Sequence, residues 1–319
     1  MVQRLKQKLL YSRSNRRLIK WARRIILPGF EGFSLYEISR FFFRAIFTGN
    51  LVMRASAISF KLFLAFFPAV IVLLTMIPYI PIADFQTKLL TTFHDMLPGE
   101  VYEFIESTLH DLLIKKHGTL LSVSFLVGVF MASNSIDAIL AGFSDSTNHT
   151  TWHTPLKQRL LSIGLLVALT ILTMIAIPLL TFSGTVIYQL DDLGFFTSYF
   201  QVAALFAAKW VVSIFVVVMF VSLLYNAGDP TARRFRLFTP GAILAMLLIL
   251  LVSQVLAFFF SYITDYNALY GSIGAILAVQ LWLYFNMIVL LVGYELNTSI
   301  VKARIIRSEH LAPPPAPAV

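Results

Sequence analysis

Hydrophobic and polar positions in this chain alternate on a scale of tens of residues. Six apolar runs, at 57–80, 119–143, 160–188, 203–225, 240–264 and 272–296, are separated by polar bends. Each run is long enough to cross roughly 30 Å of hydrocarbon as a helix. Only a helix satisfies the backbone of such a segment where water is absent. The pattern predicts an all-α integral membrane protein with six transmembrane helices. The last two runs form the clearest unit, a hairpin closed by the short polar bend 265–271.

A finer period appears outside the runs. Over 15–27, Leu18, Trp21, Ala22, Ile25 and Ile26 recur at helical spacing while Arg16, Arg17, Lys20, Arg23 and Arg24 fill the other side. Ser34 followed by Glu37 reads as a capping box that opens a second helix through Phe41, Phe42 and Phe43, with Arg40 and Arg44 beside them. Both segments read as amphipathic helices lying on the membrane surface; the competing reading makes them solvated extensions whose arginines fix topology. Between residues 81 and 118, Val101, Phe104, Ile105, Leu109, Leu112 and Leu113 keep helical spacing among Glu100, Glu103, Glu106 and Asp111. An acidic amphipathic helix is expected there, over the outer mouth of the bundle. The plan is a basic interfacial segment at 1–50, a six-helix domain at 51–300 and a disordered, proline-rich tail at 301–319.

Composition adds weight and charge adds direction. A chain of 319 residues that is 58% hydrophobic and 13% charged carries more apolar surface than a soluble domain could bury. If the helices alternate, residues 1–56 and the bends at 144–159, 226–239 and beyond 296 share one side, and they hold 20 of the 25 lysines and arginines. The other side holds Lys88, Lys115 and Lys116 with most of the acids. By the positive-inside rule both termini are cytoplasmic. The expected partners are membrane lipids, with anionic lipid at the basic N-terminal segment. No aromatic-and-basic pattern accompanies the charge, so nucleic acid is not expected. With no cysteine, thiolate metal sites and cysteine nucleophiles are excluded.

Charged and polar residues inside the runs need reasons, because charge at the bilayer centre costs roughly 2.5–3.5 kcal/mol on insertion scales. Lys61, Asp137 and Glu295 fall in the cytoplasmic third, with Arg54 just below and Asn134 close by. A Lys61 to Asp137 ion pair would form the polar floor of a cavity among the first, second, fifth and sixth helices. The alternative has Lys61 reaching up to the headgroups and the acids pairing near helix ends. Gln254 and Gln280 lie towards the middle of the last two helices and complete the candidate cluster. Other polar residues, Ser56 and Ser59 included, read as hydrogen-bonding glue. Pro68 and Pro178 interrupt the first and third helices. His149 and His153 have i, i+4 spacing without an intervening glutamate, a poor zinc site. No phosphate loop, nucleophile elbow or carboxylate pair appears, so no cofactor, metal or enzymatic activity is expected.

Several stretches carry a family resemblance: Arg54 to Phe60 with Phe67-Pro68, Leu224-Tyr225, Pro240-Gly241-Ala242, Tyr266-Asn267, Tyr270-Gly271-Ser272-Ile273-Gly274, Trp282-Leu283-Tyr284, and Gly293-Tyr294-Glu295-Leu296-Asn297. Together they resemble the YihY/BrkB family of bacterial inner-membrane proteins, over roughly residues 35–305. The chain departs from that pattern with Asn226-Ala227-Gly228-Asp229 before Pro230 and with its basic extension. The resemblance implies a six-helix plasma-membrane protein. It brings an old ribonuclease label widely regarded as a misassignment, a link of one branch to virulence and a suggestion that another branch moves lipid. It supplies no catalytic residue. The expected function is a translocator or carrier of a lipid or other amphiphile; the alternative is a non-transporting scaffold for envelope integrity or virulence.

Overall fold

The computed structural model describes residues 20, 23–26, 32–48, 50–82, 84–96, 99–144, 154–192, 199–229, 235–262 and 272–311. The segment 15–27 lies largely outside these residues. So do His149, His153, Asn267, Tyr270, Gly271 and the last residues, 312–319.

Among the described residues the regular elements are helical. They run α1 (Leu35–Thr48), α2 (Leu51–Met76), a 3-10 turn (Ile77–Tyr79), α3 (Phe85–Met96), α4 (Gly99–Ile114), α5 (Gly118–Ser144), α6 (Pro155–Asp192), α7 (Tyr199–Ala227), α8 (Pro240–Tyr262) and α9 (Ser272–Leu311). Six of them, α2 and α5 to α9, are long and apolar enough to cross a membrane, in agreement with the six runs. α2 begins at Leu51, six residues ahead of the apolar run, so Arg54 is part of the first spanning helix.

Each spanning helix packs on its neighbour in sequence, and α9 closes the ring against α2 while also meeting α5. The even number of crossings, six, between α1 and the end of α9 brings both ends of the chain to one end of the bundle, the terminal end. The other is the far end.

Ser34 caps α1 as the sequence suggests. Its backbone N–H and its hydroxyl both donate to Glu37 Oε2, at 2.9 and 2.8 Å, and Glu37 N–H donates back to Ser34 Oγ at 3.3 Å. The backbone bond from Ser34, then the hydroxyl bond, hold the Glu37 carboxyl below the usual carboxylate range. The apolar side of α1 does not simply face a membrane. Ile38, with Phe33 before the helix, packs on Ile300 and Ala303 of α9, and Phe41 and Leu296 close the cluster. Arg307 lies over the Phe33 ring at 5.4 Å.

That contact explains a second difference. The tail expected from residue 301 is helical to Leu311, because Leu296, Ile300 and Ala303 continue an apolar stripe that α1 covers. α1 keeps a second apolar edge, where Phe43 and Phe47 are exposed, Phe47 by 83%.

The acidic amphipathic segment forms a single helix, α4, and α3 precedes it as a further helix that the pattern did not single out. α4 buries Leu109 and Leu113, and its end is tied down where Asp111 pairs with Lys115 at 2.7 Å and His117 at 3.0 Å. The Lys115 bond is the main reason the Asp111 carboxyl titrates below its ordinary range. Lys116 sits 5.4 Å over the Tyr79 ring, joining this segment to the end of the first span.

Candidate functional site

Polar side chains within the spans gather in three separate places. The first is the terminal end, where Arg54 and Glu295 are buried, at 8% and 1% exposure. Arg54 Nη2 donates to Glu295 Oε1 at 2.8 Å and Nη1 to the Gly142 carbonyl at 2.7 Å, so one guanidinium ties α2 to α5 and α9. A guanidinium suits this task, since its planar fork serves two acceptors at once.

Around this tie the helices approach closely. A Cβ added to Gly241 would collide with the Gly293 carbonyl and lie 2.6 Å from the Asn297 side chain. One added to Gly293 would lie 2.6 Å from the Gly241 carbonyl and 2.8 Å from Ala245 Cβ. Glycine at both positions is what lets α8 cross α9 backbone to backbone. Asn297 then caps α8 from the neighbouring helix: Gly241 N–H donates to its Oδ1 at 2.8 Å, and its Nδ2 donates to Thr239 Oγ1 at 2.9 Å. Thr239 Oγ1 accepts from Ala242 N–H at 3.1 Å, so α8 begins with its free donors satisfied. Phe143 stacks on Tyr294 at 4.1 Å, and Tyr225 meets both rings edge-on. The Tyr225 hydroxyl donates to the Leu290 carbonyl at 2.7 Å and that of Tyr294 to the Gly228 carbonyl at 2.6 Å. Arg54, Tyr225, Gly241, Gly293 and Asn297, carried forward from the family resemblance, therefore all belong to one sealed plug.

The second place is between α5 and α6. Asp137 Oδ1 accepts from Gln158 Nε2 at 2.8 Å and from Ser162 Oγ at 3.5 Å. Lys61 and Asp137 form no ion pair; the Lys61 carbonyl instead accepts from Ser135 Oγ at 2.9 Å, joining α2 to α5. Asn134 is half-buried nearby on α5, and Gln254 is exposed on α8. The candidate cluster is thus divided among several interfaces.

The third place is a cleft between α2 and α9, about 280 Å³ in volume and lined by Ser56, Ser59, Leu277, Gln280, Leu281 and Tyr284. Ser59 lies eight residues into α2, which puts the cleft roughly 12 Å along that helix from its first residue. Gln280 Nε2 donates weakly to Ser59 Oγ at 3.4 Å. Gln280 Oε1 is buried and has no hydrogen-bond partner among the described residues. Of the candidate cluster, Gln280 alone lines the cleft. Ser56 and Ser59, read from sequence as glue, stand beside it; their i, i+3 spacing opposite a mid-helix glutamine is the signal that was present.

The remaining motif positions serve packing. Pro68 lies inside α2 with Gly128 of α5 against it, 3.6 Å from where a Gly128 Cβ would be. Pro240 starts α8, Gly274 is buried, and Trp282 is exposed on α9. Asn226, which departs from the family pattern, pins the α7 to α8 bend: it donates to the Arg236 carbonyl at 2.9 Å and accepts from Arg236 N–H at 2.9 Å.

Comparison with known proteins agrees with this architecture. A Bacillus subtilis (strain 168) protein named "Putative ribonuclease-like protein YfkH" is 28% identical over 259 residues, 81% of this chain and 92% of that protein. Shorter matches join the chain to UPF0761 membrane proteins. That of Idiomarina loihiensis is 27% identical over 31% of this chain and 35% of its own, and that of Pseudoalteromonas translucida is 32% identical over 24% and 26%. No solved structure matches. Residues 42–317 match the family described as Virulence factor BrkB, and the chain belongs to that family, as a multi-pass protein of the bacterial inner membrane.

Proposed function

We propose that the protein carries an amphiphile across or within the membrane, with the ligand's polar head held in the cleft between α2 and α9. The observation that supports this reading is the Gln280 carbonyl, a buried acceptor without a partner among the described residues, at the floor of a cleft lined also by Leu277, Leu281 and Tyr284 within the spans. An unmade hydrogen bond in hydrocarbon costs on the order of 1–3 kcal/mol, and a passing headgroup would relieve it. A carrier needs such a station along the path, weak enough to release what it binds. In this reading the termini face the cytoplasm, as the charge asymmetry suggests, and Phe43 and Phe47 with Arg40 and Arg44 rest in an anionic leaflet.

The test is transbilayer movement of fluorescent lipids of several headgroups in reconstituted vesicles. Protein-dependent acceleration is expected, and filling the cleft by Leu277→Trp should reduce it several-fold. Rates equal to protein-free vesicles for every lipid would sink the carrier reading.

A scaffold reading is favoured by one observation. Arg54, Glu295, Asp137 and Gln158, the most polar groups of the terminal end, are all engaged in helix-to-helix ties. Under it, Leu277→Trp would change no transport rate, and variants at the ties would act through stability alone.

A further inference from the structure

The hydrogen-bond inventory of the cleft narrows its ligand. Ser56 Oγ donates to the Val52 carbonyl at 2.9 Å, Ser59 Oγ to the Ser56 carbonyl at 3.0 Å, and Gln280 Nε2 to Ser59 Oγ. The hydroxyl protons of Ser56 and Ser59 and one N–H of Gln280 are thus engaged, while the Ser56 oxygen at the exposed mouth and the Gln280 carbonyl at the floor are left as acceptors. Ser59 orients the Gln280 amide: its hydroxyl proton goes to the Ser56 carbonyl, so its oxygen takes the NH2 of Gln280 and the carbonyl is left as the unpartnered group. Among the described residues no charged side chain lines the cleft. Arg54, the nearest buried cation towards the terminal end, is matched by Glu295.

The geometry points to a neutral amphiphile with a hydroxyl headgroup as the ligand of this cleft, its O–H donating to the Gln280 side-chain carbonyl and its first methylenes lying on Leu277 and Leu281. The inference rests on the carrier reading above. A phosphate headgroup brings a charge, and the described lining offers no cation to match it. Size agrees: 280 Å³ corresponds to roughly nine water volumes, room for a glycerol-sized head and a few methylenes, with the rest of the chain in lipid. Because Gln280 Oε1 lies just beneath the accessible floor, the ligand engages it by a turn about the last side-chain bond, a soft torsion.

The experiment titrates the full-length protein in detergent with monooleoylglycerol and, separately, with oleoyl lysophosphatidic acid, which bears a phosphate in place of one hydroxyl. Binding is read by native mass spectrometry. The expected result is saturable one-to-one binding of monooleoylglycerol, tighter than the lysophosphatidic acid. Gln280→Met should weaken it about 3- to 10-fold, the loss of one neutral hydrogen bond. Gln254→Met, on the exposed side of α8, should leave it unchanged. Equal or tighter binding of the phosphate lipid would overturn the inference, and so would indifference to Gln280→Met. Should that variant fail to fold, the wild-type preference between the two lipids and its loss in Leu277→Trp decide the matter. Transport of an anionic lipid without monooleoylglycerol binding would remove the ligand class and leave the carrier. Binding without transport of any lipid would do the reverse.

Discussion

The terminal end of the bundle and its far end are built by different means. At the terminal end α2, α5, α7, α8 and α9 bury Ile58, Leu140, Phe143, Val221, Leu224, Ala242, Ala245 and Leu291, and the polar groups among them are paired across helices. Further along α5, Val123, Phe125, Leu126, Val129 and Phe130 are exposed around most of the helix, and chiefly the strip through Ser124 and Gly128 is covered, where Gly128 meets Pro68 of α2. The comparison teaches a division of labour. In lipid no hydrophobic force drives helices together, so close backbone approach and hydrogen bonds must do it; these are concentrated at one end. The far end is left with side chains that are as content against lipid as against each other, and the cleft sits at the boundary.

The sharpest way to break the contrast is to fill the closest approach at the terminal end. Gly241→Leu forces a branched side chain into the Gly293 carbonyl and the Asn297 side chain, obstacles that are backbone or held by two hydrogen bonds. Overpacking ordinarily costs about 1–3 kcal/mol, and here the neighbours cannot turn aside. Gly241→Leu is expected to abolish recovery of monodisperse protein on size-exclusion chromatography, whereas Gly128→Leu, facing the less crowded strip, should be recovered. Equal recovery of the two would mean that the halves are not differently packed.

Next in size is the ion pair. Arg54→Ala leaves Glu295 buried beside no guanidinium, a change worth about 3 kcal/mol for a buried pair. The double variant Arg54→Met, Glu295→Leu removes both charges and should recover most of that loss in thermal unfolding measured in detergent. Losses that simply add from Arg54→Met and Glu295→Leu to the double variant would show the two side chains acting independently.

Much of this was readable beforehand, and what was not has a geometric reason. Run lengths alone report the six spans, and Ser34 with Glu37 reports the start of α1, because both are local properties. The partner of Glu295 was not local. Arg54 and Lys61 are seven residues apart and so share one side of α2 at depths differing by roughly 10 Å. Choosing between them requires knowing that α2 starts at Leu51 and that α9 continues to Leu311, and both ends are set by α1 packing and capping rather than by hydropathy. Charge alone pairs Asp137 with Lys61, yet Gln158 and Ser162, four residues apart at the start of α6, present neutral donors to it. Among the cleft residues only Gln280 stood out, since a serine near another serine usually bonds to its own helix. Ser56 and Ser59 indeed do so, and it is this that leaves their oxygens as acceptors.

The smallest expected effect concerns the edge of the terminal end, where α1 joins the bundle through its cap and the Phe33, Ile38, Ile300 and Ala303 cluster. Ser34→Ala should loosen α1 by about 1 kcal/mol, the usual worth of an N-cap. The Glu37 half of the box is pH-dependent, and the sign follows from its depressed carboxyl. A carboxylate favoured by folding contributes fully above its ordinary range, and the contribution is lost as pH falls through the lower folded value. Hydrogen exchange of residues 35–48, corrected for its intrinsic pH dependence, should therefore stay slow at neutral pH and quicken below about pH 4. Glu37→Gln keeps an uncharged acceptor and should flatten that profile. The plug residues 286–299 should show no such change in either protein, because they are held by buried contacts in which Glu37 takes no part. An equal acid response in both segments would place α1 within the plug's cooperative unit and move the boundary between the two halves outward.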